Sequence, residues 1–334
     1  MKAIALLSGG LDSTLAAKVL MEQKIELEAL NFLTVFCTCT NRGKTCLASH
    51  KAVDALGIPL RVFNVSEEYL NVVKHPKHGY GSNMNPCIDC RIFMLKKAKA
   101  YMEMASASFI VTGEVLGQRP MSQRKDAMRL IEKEAGLEGF VLRPLCAKFL
   151  PVTIPEKEAW VDREKLLSIQ GRSRKPQIRL ADHFGIRDYP CPAGGCLLTD
   201  PGFARRIRDL IQHDPNFSLN DVHLLKIGRH FRFSPRLKLV VGRNEEENQK
   251  IQTFSRKGDI LLRVSRYPGP LSLLRGDVEE KELERAAAIA VHYSKGKGLD
   301  KAEVIYKRAG EDQHRSLFIS PISHRDIERL MINE

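Results

Sequence analysis

The sequence has no long apolar run. No stretch approaches the roughly 18 consecutive apolar residues that a membrane-spanning helix needs. Residues 1–7 are apolar, but they continue into Gly9 and Gly10 without the small-residue cleavage site of a secretory signal. Internal repeats and low-complexity tracts are also missing. These absences predict a cytoplasmic globular protein that makes no membrane contact.

Acidic residues are in the minority. The chain has 53 Lys and Arg against 40 Asp and Glu, which gives a formal net charge of +13 at pH 7. An excess of this size favours a polyanionic partner, and nucleic acid is the most common one. A basic protein without a specific anionic partner is the alternative.

The eight cysteines are not expected to form a disulfide framework. Thiols stay reduced in the cytoplasm, so this number favours metal or redox chemistry. The cysteines fall into groups along the chain: Cys37, Cys39 and Cys46; Cys87 and Cys90; Cys146 alone; Cys191 and Cys196.

Apolar runs and helical patterns alternate over the first 150 residues. The predicted strands are 2–7, 25–35, 60–65 and 109–112, and the predicted helices are 11–23, 49–56 and 92–106. This alternation predicts an α/β fold with a doubly wound parallel sheet over residues 1–150.

The rest of the chain has a different pattern. Residues 151–202, punctuated by proline and locally basic, are interpreted as a connecting extension that carries Cys191 and Cys196 back to the first domain. Residues 203–334 are predicted to form a second, smaller α+β domain. Its predicted elements are strands at 237–241, 259–264 and 303–307 and a helix at 279–294.

The motif Ser8-Gly9-Gly10-Leu11-Asp12-Ser13 lies between the first predicted strand and the first predicted helix. Its glycines allow a tight turn that exposes backbone N–H groups, while the helix N-terminus and two serine hydroxyls add further donors. The turn is not followed by Gly-Lys-Ser/Thr, and Gly-x-Gly-x-x-Gly is absent, which excludes a Walker A loop and a dinucleotide fingerprint. The motif therefore predicts a pyrophosphate cradle. A chance Gly-Gly turn is the alternative.

This motif resembles the signature of the PP-loop ATP pyrophosphatases, which have a HUP-like fold. Those enzymes bind ATP and release pyrophosphate while they place AMP on a carbonyl oxygen. Residues 112–118, Thr-Gly-Glu-Val-Leu-Gly-Gln, resemble the motif after the fourth strand of 4-thiouridine synthetases. Residues 142–145, Leu-Arg-Pro-Leu, resemble the arginine motif that follows there.

The resemblance implies ATP as a cofactor and a role for each matching residue. It implies that Ser8, Gly9, Gly10, Asp12 and Ser13 hold the phosphates, that Gly113 and Gln118 line the nucleotide, and that Arg143 faces the phosphate or the adenylated base. Asp12 fits a Mg²⁺-linked role, because a carboxylate beside a triphosphate is otherwise repelled. Charge compensation at the helix N-terminus is the alternative for Asp12.

Cys87 and Cys90 have the two-residue gap that lets one metal or cluster take both sulfurs. They precede a basic helix, a setting that is expected to lower a thiol pKa. With Cys196 as third ligand, this arrangement resembles the [4Fe–4S] site of cluster-dependent tRNA thiolases. Cys191 is the other candidate for the third ligand. A metal-free mechanism, with a persulfide and a resolving cysteine, and a purely structural role are the alternatives.

The remaining cysteines carry weaker signals. Cys37, Cys39 and Cys46 could bind zinc with His50 as fourth ligand, could add to a cluster, or could bind no metal. Cys146 lies in an apolar context and is predicted to be a core residue.

Landmarks over about 235–310 resemble the RNA-binding NFACT-R domain. They include Val240-Val241-Gly242-Arg243-Asn244, Gly258-Asp259-Ile260 and Pro268-Gly269-Pro270. Basic residues at 229, 232, 236, 238 and 243 alternate with Phe231 and Phe233, a pattern suited to phosphate contact and base stacking. Buried phenylalanines behind a solvated basic face are the alternative.

Together these features predict an ATP-dependent tRNA sulfurtransferase with Asp12, Cys87, Cys90 and Cys196 as catalytic residues. Its substrate would be a uridine or cytidine carbonyl, and sulfide or an external persulfide would donate the sulfur. The first alternative is a PP-loop ligase or amidotransferase-like enzyme that acts on a small molecule. The second is a non-catalytic RNA-binding factor with a vestigial nucleotide loop.

Overall fold

The computed structural model describes residues 1–38, 47–187, 189 and 196–332. Within this range the chain divides into two compact units, Met1–Thr199 and Asp200–Glu334. Cys39, Cys46 and Cys191 lie outside the described residues. The expectations that depend on these three cysteines therefore stay predictions.

The first unit is built on a parallel sheet of five strands in the order β3-β2-β1-β4-β5. The strands are β1 Lys2–Leu6, β2 Glu26–Leu33, β3 Leu60–Asn64, β4 Phe109–Thr112 and β5 Val141–Leu142. The helices are α1 Leu11–Met21, α2 Leu47–Leu56, α3 Ser66–Lys74, α4 Cys87–Met104, α5 Lys125–Ala135, α6 Ile154–Lys157 and α7 Lys175–His183. The predicted doubly wound α/β fold is confirmed.

Helices cover both faces of this sheet. Ala3 and Ala5 belong to an apolar cluster that includes Leu15 of α1, whereas Ile4 belongs to a cluster that includes Leu95 of α4. Successive side chains of a strand point to opposite faces, so a strand buried on both faces consists of a continuous apolar run. This accounts for the apolar sequence of β1.

The segment that the sequence pattern set apart after residue 150 packs into the first unit. Val161, Leu166 and Ala181 are buried in the same cluster as Leu15. The backbone N–H of Leu167 donates to the carbonyl of Pro144 at 2.9 Å. The segment to residue 187 is therefore an integral part of the first unit, because its apolar side chains complete one face of the core.

The second unit contains an antiparallel sheet of six strands in the order β11-β10-β8-β9-β7-β6. Its strands are β6 Arg229–Ser234, β7 Leu237–Val241, β8 Ile260–Val264, β9 Ser272–Gly276, β10 Ala302–Arg308 and β11 Arg315–Ile319. Its helices are α8 Pro201–His213, α9 Leu219–Leu225, α10 Glu245–Phe254, α11 Glu280–His292 and α12 His324–Leu330.

The two faces of the second sheet carry different clusters. On one face, Leu237 and Leu239 pack with Ile289 of α11 and Ile327 of α12. On the other face, Val240 packs with residues of α9 and α10. Among the helices of the described ranges, none combines the length and the apolar character needed to cross a bilayer.

Candidate functional site

The motif at residues 8–13, after β1, and the motif at residues 112–118, at the end of β4, meet where the strand order of the first sheet reverses. β1 pairs with β2 on one side and with β4 on the other, and all three strands are parallel. The loops after β1 and β4 therefore lie at the same edge of the sheet, which is where open α/β sheets bind ligands. Gly9 and Gly10 belong to the first loop, and Gly113 follows β4 directly.

The loop after β1 has the conformation that its glycines permit. Gly9 has a φ of +75°, and a Cβ added there would lie 2.4 Å from the carbonyl carbon of Ala48. Gly10 caps α1, and its carbonyl accepts hydrogen bonds from the N–H of Thr14 at 3.1 Å and from the Ser13 hydroxyl at 2.9 Å. The hydroxyl of Ser8 lies 3.4 Å from that of Ser13. The loop thus presents the start of α1 and two hydroxyls together.

Gly113 brings the end of β4 against this loop. A Cβ at Gly113 would lie 2.4 Å from the Ser13 nitrogen and 2.5 Å from the Asp12 carbonyl carbon. Real Cβ atoms do not approach backbone atoms this closely, so only glycine fits at this position. The resemblance to 4-thiouridine synthetases assigned Gly113 to the nucleotide. Its observed contacts are with the loop after β1, which is predicted to hold the phosphates.

Asp12 is the centre of a polar cluster with unsatisfied groups. The amide Nε2 of Gln118 donates to Asp12 Oδ2 at 3.0 Å, and Nη2 of Arg174 lies 3.5 Å from the same oxygen. Asp12 Oδ1, Gln118 Oε1 and Arg174 Nε are buried and have no hydrogen-bond partner among the described residues. Because buried polar atoms are normally paired, this convergence marks a place for ligand groups.

The unsatisfied atoms suit ATP and Mg²⁺. Asp12 offers a carboxylate oxygen, the ligand type that Mg²⁺ prefers, and Arg174 offers a cationic donor suited to phosphate. Sequence reasoning noted Arg174 only as part of a basic stretch. Its contact with Asp12 depends on α7 packing against α1, a long-range contact that the local pattern does not indicate.

Arg143 lies inside the first unit in a network of ion pairs. Its Nε donates to Glu114 Oε2 at 2.9 Å, its Nη1 pairs with Glu132, and its side chain is 3% exposed. Arg91 pairs with the other oxygen of Glu114 at 3.2 Å. These are contacts of a buried structural network. The expected contact of Arg143 with the phosphate or the adenylated base stays a prediction.

Replacing Glu114 with Gln is expected to destabilise the first unit by about 3 kcal/mol, because Arg143 and Arg91 would lose the buried charge that they share and Arg143 would keep only Glu132. Burial alone would raise the pKa of Glu114, but the charges of Arg91 and Arg143 outweigh it and hold the pKa below its usual 4.5. The stabilisation is therefore present above pH 4.5 and is lost as the pH falls through the lower, folded-state pKa. Urea unfolding of the variant and of Asp126→Gln, an exposed control, measures the difference. Equal unfolding free energies at pH 7 would contradict this account.

Four thiols lie together at one corner of the first unit, which we call the thiol corner: Cys37, Cys87, Cys90 and Cys196. Cys87 and Cys90 stand at the start of α4. Cys37 and Cys196 face each other in an antiparallel bridge, and the N–H of Leu197 donates to the carbonyl of Phe36 at 2.9 Å. The structure therefore places the three predicted cysteines together. It adds Cys37, which the sequence pattern grouped with Cys39 and Cys46.

Each sulfur of the thiol corner accepts a hydrogen bond from a neutral donor. The donors are the Thr34 N–H to Cys37 at 3.4 Å, the Asn85 amide to Cys87 at 3.0 Å, the Tyr69 hydroxyl to Cys90, and the Leu198 N–H to Cys196. Donors of this kind favour a sulfur with anionic character. By contrast, the thiol of Cys146 is fully buried and donates to the carbonyl of Glu114 at 3.3 Å, as a core residue would.

The expectation of lowered thiol pKa values at this helix start is wrong. Burial raises the pKa of Cys87 and Cys90 above their usual value and raises that of Cys196 to about 12. Arg91 and Arg119 act in the opposite direction on Cys87 but do not outweigh burial. The helix also begins at Cys87 and not near residue 92, so both cysteines of the pair lie in its first turn.

The thiol corner has the sulfur donors of an iron–sulfur site, in which each cysteine binds a different iron. Within the described ranges, no group of three or more His, Cys, Asp or Glu side chains is arranged to hold a metal ion. Sulfur donors in this number suit a cluster or a thiol–disulfide reaction equally well. Thiolates would be required for either, and the four neutral donors are positioned to stabilise them.

Arg91 connects the thiol corner to the nucleotide motif. It follows Cys90 in sequence, acts electrostatically on Cys87 and Cys90, and pairs with Glu114, the neighbour of Gly113. Arg91 thus links the thiol corner to the residue that follows Gly113 in the first unit.

In the second unit, the phenylalanines of the basic strand face the core. Phe231 is fully buried and Phe233 packs against the same cluster as Leu239. Phe231 has no exposed surface for base stacking and Phe233 is partly buried, so phenylalanines that pack behind a basic face are the interpretation that the structure favours. Arg232 and Lys238 lie on the opposite face of the sheet, because alternate residues of a strand point to opposite sides.

Comparison with known families agrees with both resemblances. The family model described as "Thiamine biosynthesis protein (ThiI)" matches residues 1–148, and the model described as "NFACT protein RNA binding domain" matches residues 228–331. The PP-loop resemblance of the first unit and the NFACT-R resemblance of the second are therefore confirmed.

Curated relatives give the same indication. The tRNA-specific 2-thiouridylase MnmA of Marinomonas sp. (strain MWYL1) is 30% identical over 249 residues, which cover 69% of this chain and 58% of the relative. That of Pseudomonas fluorescens (strain SBW25) is 33% identical over 135 residues, which cover 37% of this chain and 35% of the relative. The chain thus spans less than two thirds of the length of these relatives.

Two solved structures resemble parts of the chain. A 4-thiouridine synthetase–RNA complex with bound ATP is 23% identical, with a TM-score of 0.34, and the match covers 55% of this chain and 51% of that one. The U34-tRNA thiolase NcsA from Methanococcus maripaludis with its [4Fe–4S] cluster is 19% identical, with a TM-score of 0.34, and the match covers 68% and 70%.

Proposed function

We propose that this protein is an ATP-dependent tRNA sulfurtransferase that adenylates a base carbonyl, with uridine as the base, and replaces the oxygen with sulfur. One observation carries the proposal: the unsatisfied polar groups around Asp12 and the corner of four thiols lie in the same unit, and Arg91 links the corner to the residue after Gly113. An adenylating enzyme needs the first, and a sulfur transfer needs the second. The names of the curated relatives, tRNA-specific 2-thiouridylases, support the same reaction.

The phosphate loop would bind and orient ATP. The N–H groups at the start of α1 and the hydroxyls of Ser8 and Ser13 would hold the phosphates, and Arg174 would supply a positive charge beside them. Asp12 would hold Mg²⁺, which supplies charge neutralisation when bound. Gln118 fixes the Asp12 carboxylate through its amide, so the second oxygen of Asp12 stays directed into the site.

The thiol corner would deliver the sulfur. A sulfur nucleophile forms a bond to the activated base carbon, and the bond from that carbon to oxygen breaks as AMP leaves with the oxygen. We propose Cys87, Cys90 and Cys196 as ligands of a [4Fe–4S] cluster that would hold the sulfide. The persulfide alternative uses Cys87 or Cys90 and Cys196 as the persulfide-carrying and resolving pair. Sulfide would be the donor to the cluster. In the persulfide alternative an external persulfide would be the donor, because its outer sulfur is already at the required oxidation level.

The second unit would bind the tRNA. Its NFACT-type RNA-binding match and the net charge of +13 both favour a polyanionic partner. Contacts with the phosphate backbone would supply affinity without base choice, so the choice of nucleotide would rest on the first unit.

The experiment that separates this proposal from a small-molecule ligase measures conversion of labelled ATP to AMP. The purified chain is incubated with total tRNA, with tRNA digested to nucleosides, or with mixtures of small metabolites. We expect AMP formation that requires intact tRNA. AMP formation that depends on a metabolite and ignores tRNA would support the ligase, and no conversion under any condition would support a vestigial nucleotide loop.

Anaerobic purification followed by iron and acid-labile sulfide analysis tests the cluster. The cluster proposal predicts about four irons per chain, reduced strongly in Cys87→Ser and unchanged in Cys146→Ser. An iron-free protein that still transfers sulfur would exclude the cluster and support the persulfide mechanism.

A further inference from the structure

Three cationic residues stand in one row across neighbouring strands of the second sheet. Lys238 of β7 lies directly opposite Arg232 of β6 on one side and Arg275 of β9 on the other. Like charges at directly opposed positions destabilise a sheet. The row lies on the face that carries Val240 and Leu273, away from the main core of the unit.

The two arginines of this row are neutralised by carboxylates. Arg232 donates from Nε to Asp209 at 3.1 Å and also binds its second oxygen through Nη2. Arg275 binds Asp259 at 2.7 and 2.9 Å and Asp221 at 2.7 Å. All five N–H donors of Arg275 have acceptors, with Asn220 and the carbonyl of Phe254 completing the set.

Lys238 is the exception. No hydrogen bond or ion pair joins its ammonium group to any residue that the structure describes, although carboxylates surround both neighbouring arginines. Burial lowers the pKa of Lys238 to about 7; Arg232 and Arg206 act in the same direction, whereas the charges of Asp209 and Asp221 act against it without outweighing burial. An ammonium group held in such a place costs stability unless an anion joins it.

Lys238 lines a cavity of about 280 Å³ that lies wholly within the second unit. Its apolar wall consists of Leu210, Leu224, Pro235, Val240 and Leu273. Its charged lining also includes Arg236 and Arg256, whose side chains are 83% and 48% exposed. The rest of its polar lining consists of His213, Asp214, Asp221, Arg232 and Arg275, and Asp221 is already paired with Arg275.

We propose that this cavity is a phosphate site in which Lys238 is the principal anion-binding residue. The ligand would be a single phosphate, either of an RNA strand or of a free nucleotide, with its ribose against the apolar wall. This inference rests on the RNA-binding part of the proposed function and is independent of the thiol chemistry.

The arrangement favours phosphate over an acidic protein side chain. The ammonium has three donors in one place, and a phosphate offers several oxygens to a point charge of this kind. Arg236 and Arg256 have long ion-pair distances of 3.5 and 3.4 Å, so their guanidinium groups can turn toward a second phosphate oxygen. A cavity of this size also has room for the sugar attached to the phosphate.

Lys238→Met tests the site through two measurements, the Tm without ligand and the affinity for tRNA. If Lys238 had only a structural role, the variant would not combine a higher Tm with weaker tRNA binding. Without ligand, we expect the variant to have a higher Tm than the wild type, because it removes a buried ammonium that has no hydrogen-bonded anion. We expect its affinity for tRNA to fall roughly tenfold to a hundredfold and the magnitude of the salt slope of binding to fall by about one. Lys281→Met removes an exposed lysine from the same unit and should change neither quantity beyond the small effect of one surface charge.

Thermal shifts with tRNA, AMP and inorganic phosphate then distinguish the sources. Stabilisation of the wild type, but not of Lys238→Met, by AMP or phosphate assigns the site to a free nucleotide or phosphate. Stabilisation by tRNA alone assigns it to an RNA strand. The proposal is overturned if Lys238→Met lowers the Tm, or if it binds all three probes as the wild type does. None of these measurements requires ATP turnover or sulfur, so failure of the sulfurtransferase proposal would be seen separately.

Discussion

Replacing Cys196 with serine is expected to reduce thionucleoside formation by at least about a thousandfold while tRNA-dependent AMP formation continues. Cys196 is brought beside Cys37 by an antiparallel bridge and lies within electrostatic range of Cys87 and Cys90. A serine hydroxyl neither binds iron as a thiolate does nor carries a persulfide, so the sulfur step loses its chemistry. The proposed adenylation step would depend on the loop after β1, whose residues the variant keeps.

The matched control is Cys146→Ser. Cys146 is fully buried, burial raises its pKa to about 11, and its thiol donates to a backbone carbonyl that a serine hydroxyl can also reach. We expect this variant to retain most of its thiolation activity. The assignment of separate adenylation and sulfur sites fails if Cys196→Ser thiolates tRNA normally. It also fails if the variant loses AMP formation by the same factor as thionucleoside formation.

Replacing Gly113 with alanine is expected to lower AMP formation about a hundredfold and to destabilise the first unit by about 1–3 kcal/mol. The new Cβ would lie 2.4–2.5 Å from backbone atoms of Asp12 and Ser13, and neither can move without shifting the loop. A displacement of about 1 Å is enough to misplace the phosphates relative to Asp12. ATP binding by calorimetry and urea unfolding measure the two effects.

Variants at two further glycines, Gly10→Ala and Gly298→Ala, distinguish a loss of ATP binding caused by unfolding from one caused by a side chain that occupies the phosphate position. A Cβ at Gly10 would meet only the Ser8 hydroxyl, at 3.5 Å, so Gly10→Ala should fold with near-normal stability and still bind ATP poorly. Gly298 has no atom within 4 Å of such a Cβ, and Gly298→Ala should alter neither property. Normal ATP binding in both Gly113→Ala and Gly10→Ala would contradict the placement of the phosphates at this loop.

Local sequence patterns predicted the elements with the clearest boundaries. Phe109–Thr112 and Leu237–Val241 were predicted at the bounds that the structure has, because each is an apolar or alternating run ended by glycine or a charged residue. The start of α4 was predicted about five residues late. Cys87, Asp89 and Cys90 interrupt the apolar spacing there, and Pro86 gives the actual boundary of the helix.

The site was predictable only where its residues are contiguous. The phosphate loop and the pair Cys87 and Cys90 are motifs, whereas Arg174 and Cys37 join the site through the packing of α7 on α1 and through a single bridge to Cys196. The pKa values of the thiols were predicted with the wrong sign, because the sequence indicates the helix and the nearby arginines but not how deeply the sulfurs are buried.

The most direct test of the central claim is mass spectrometry of tRNA nucleosides after anaerobic incubation of the chain with tRNA, ATP, Mg²⁺ and sulfide or a persulfide donor. We expect a new thionucleoside that requires ATP and is absent with Asp12→Asn and with Cys196→Ser. The sulfurtransferase proposal would be contradicted if the tRNA stayed unmodified with both donors although the protein bound tRNA and converted ATP to AMP.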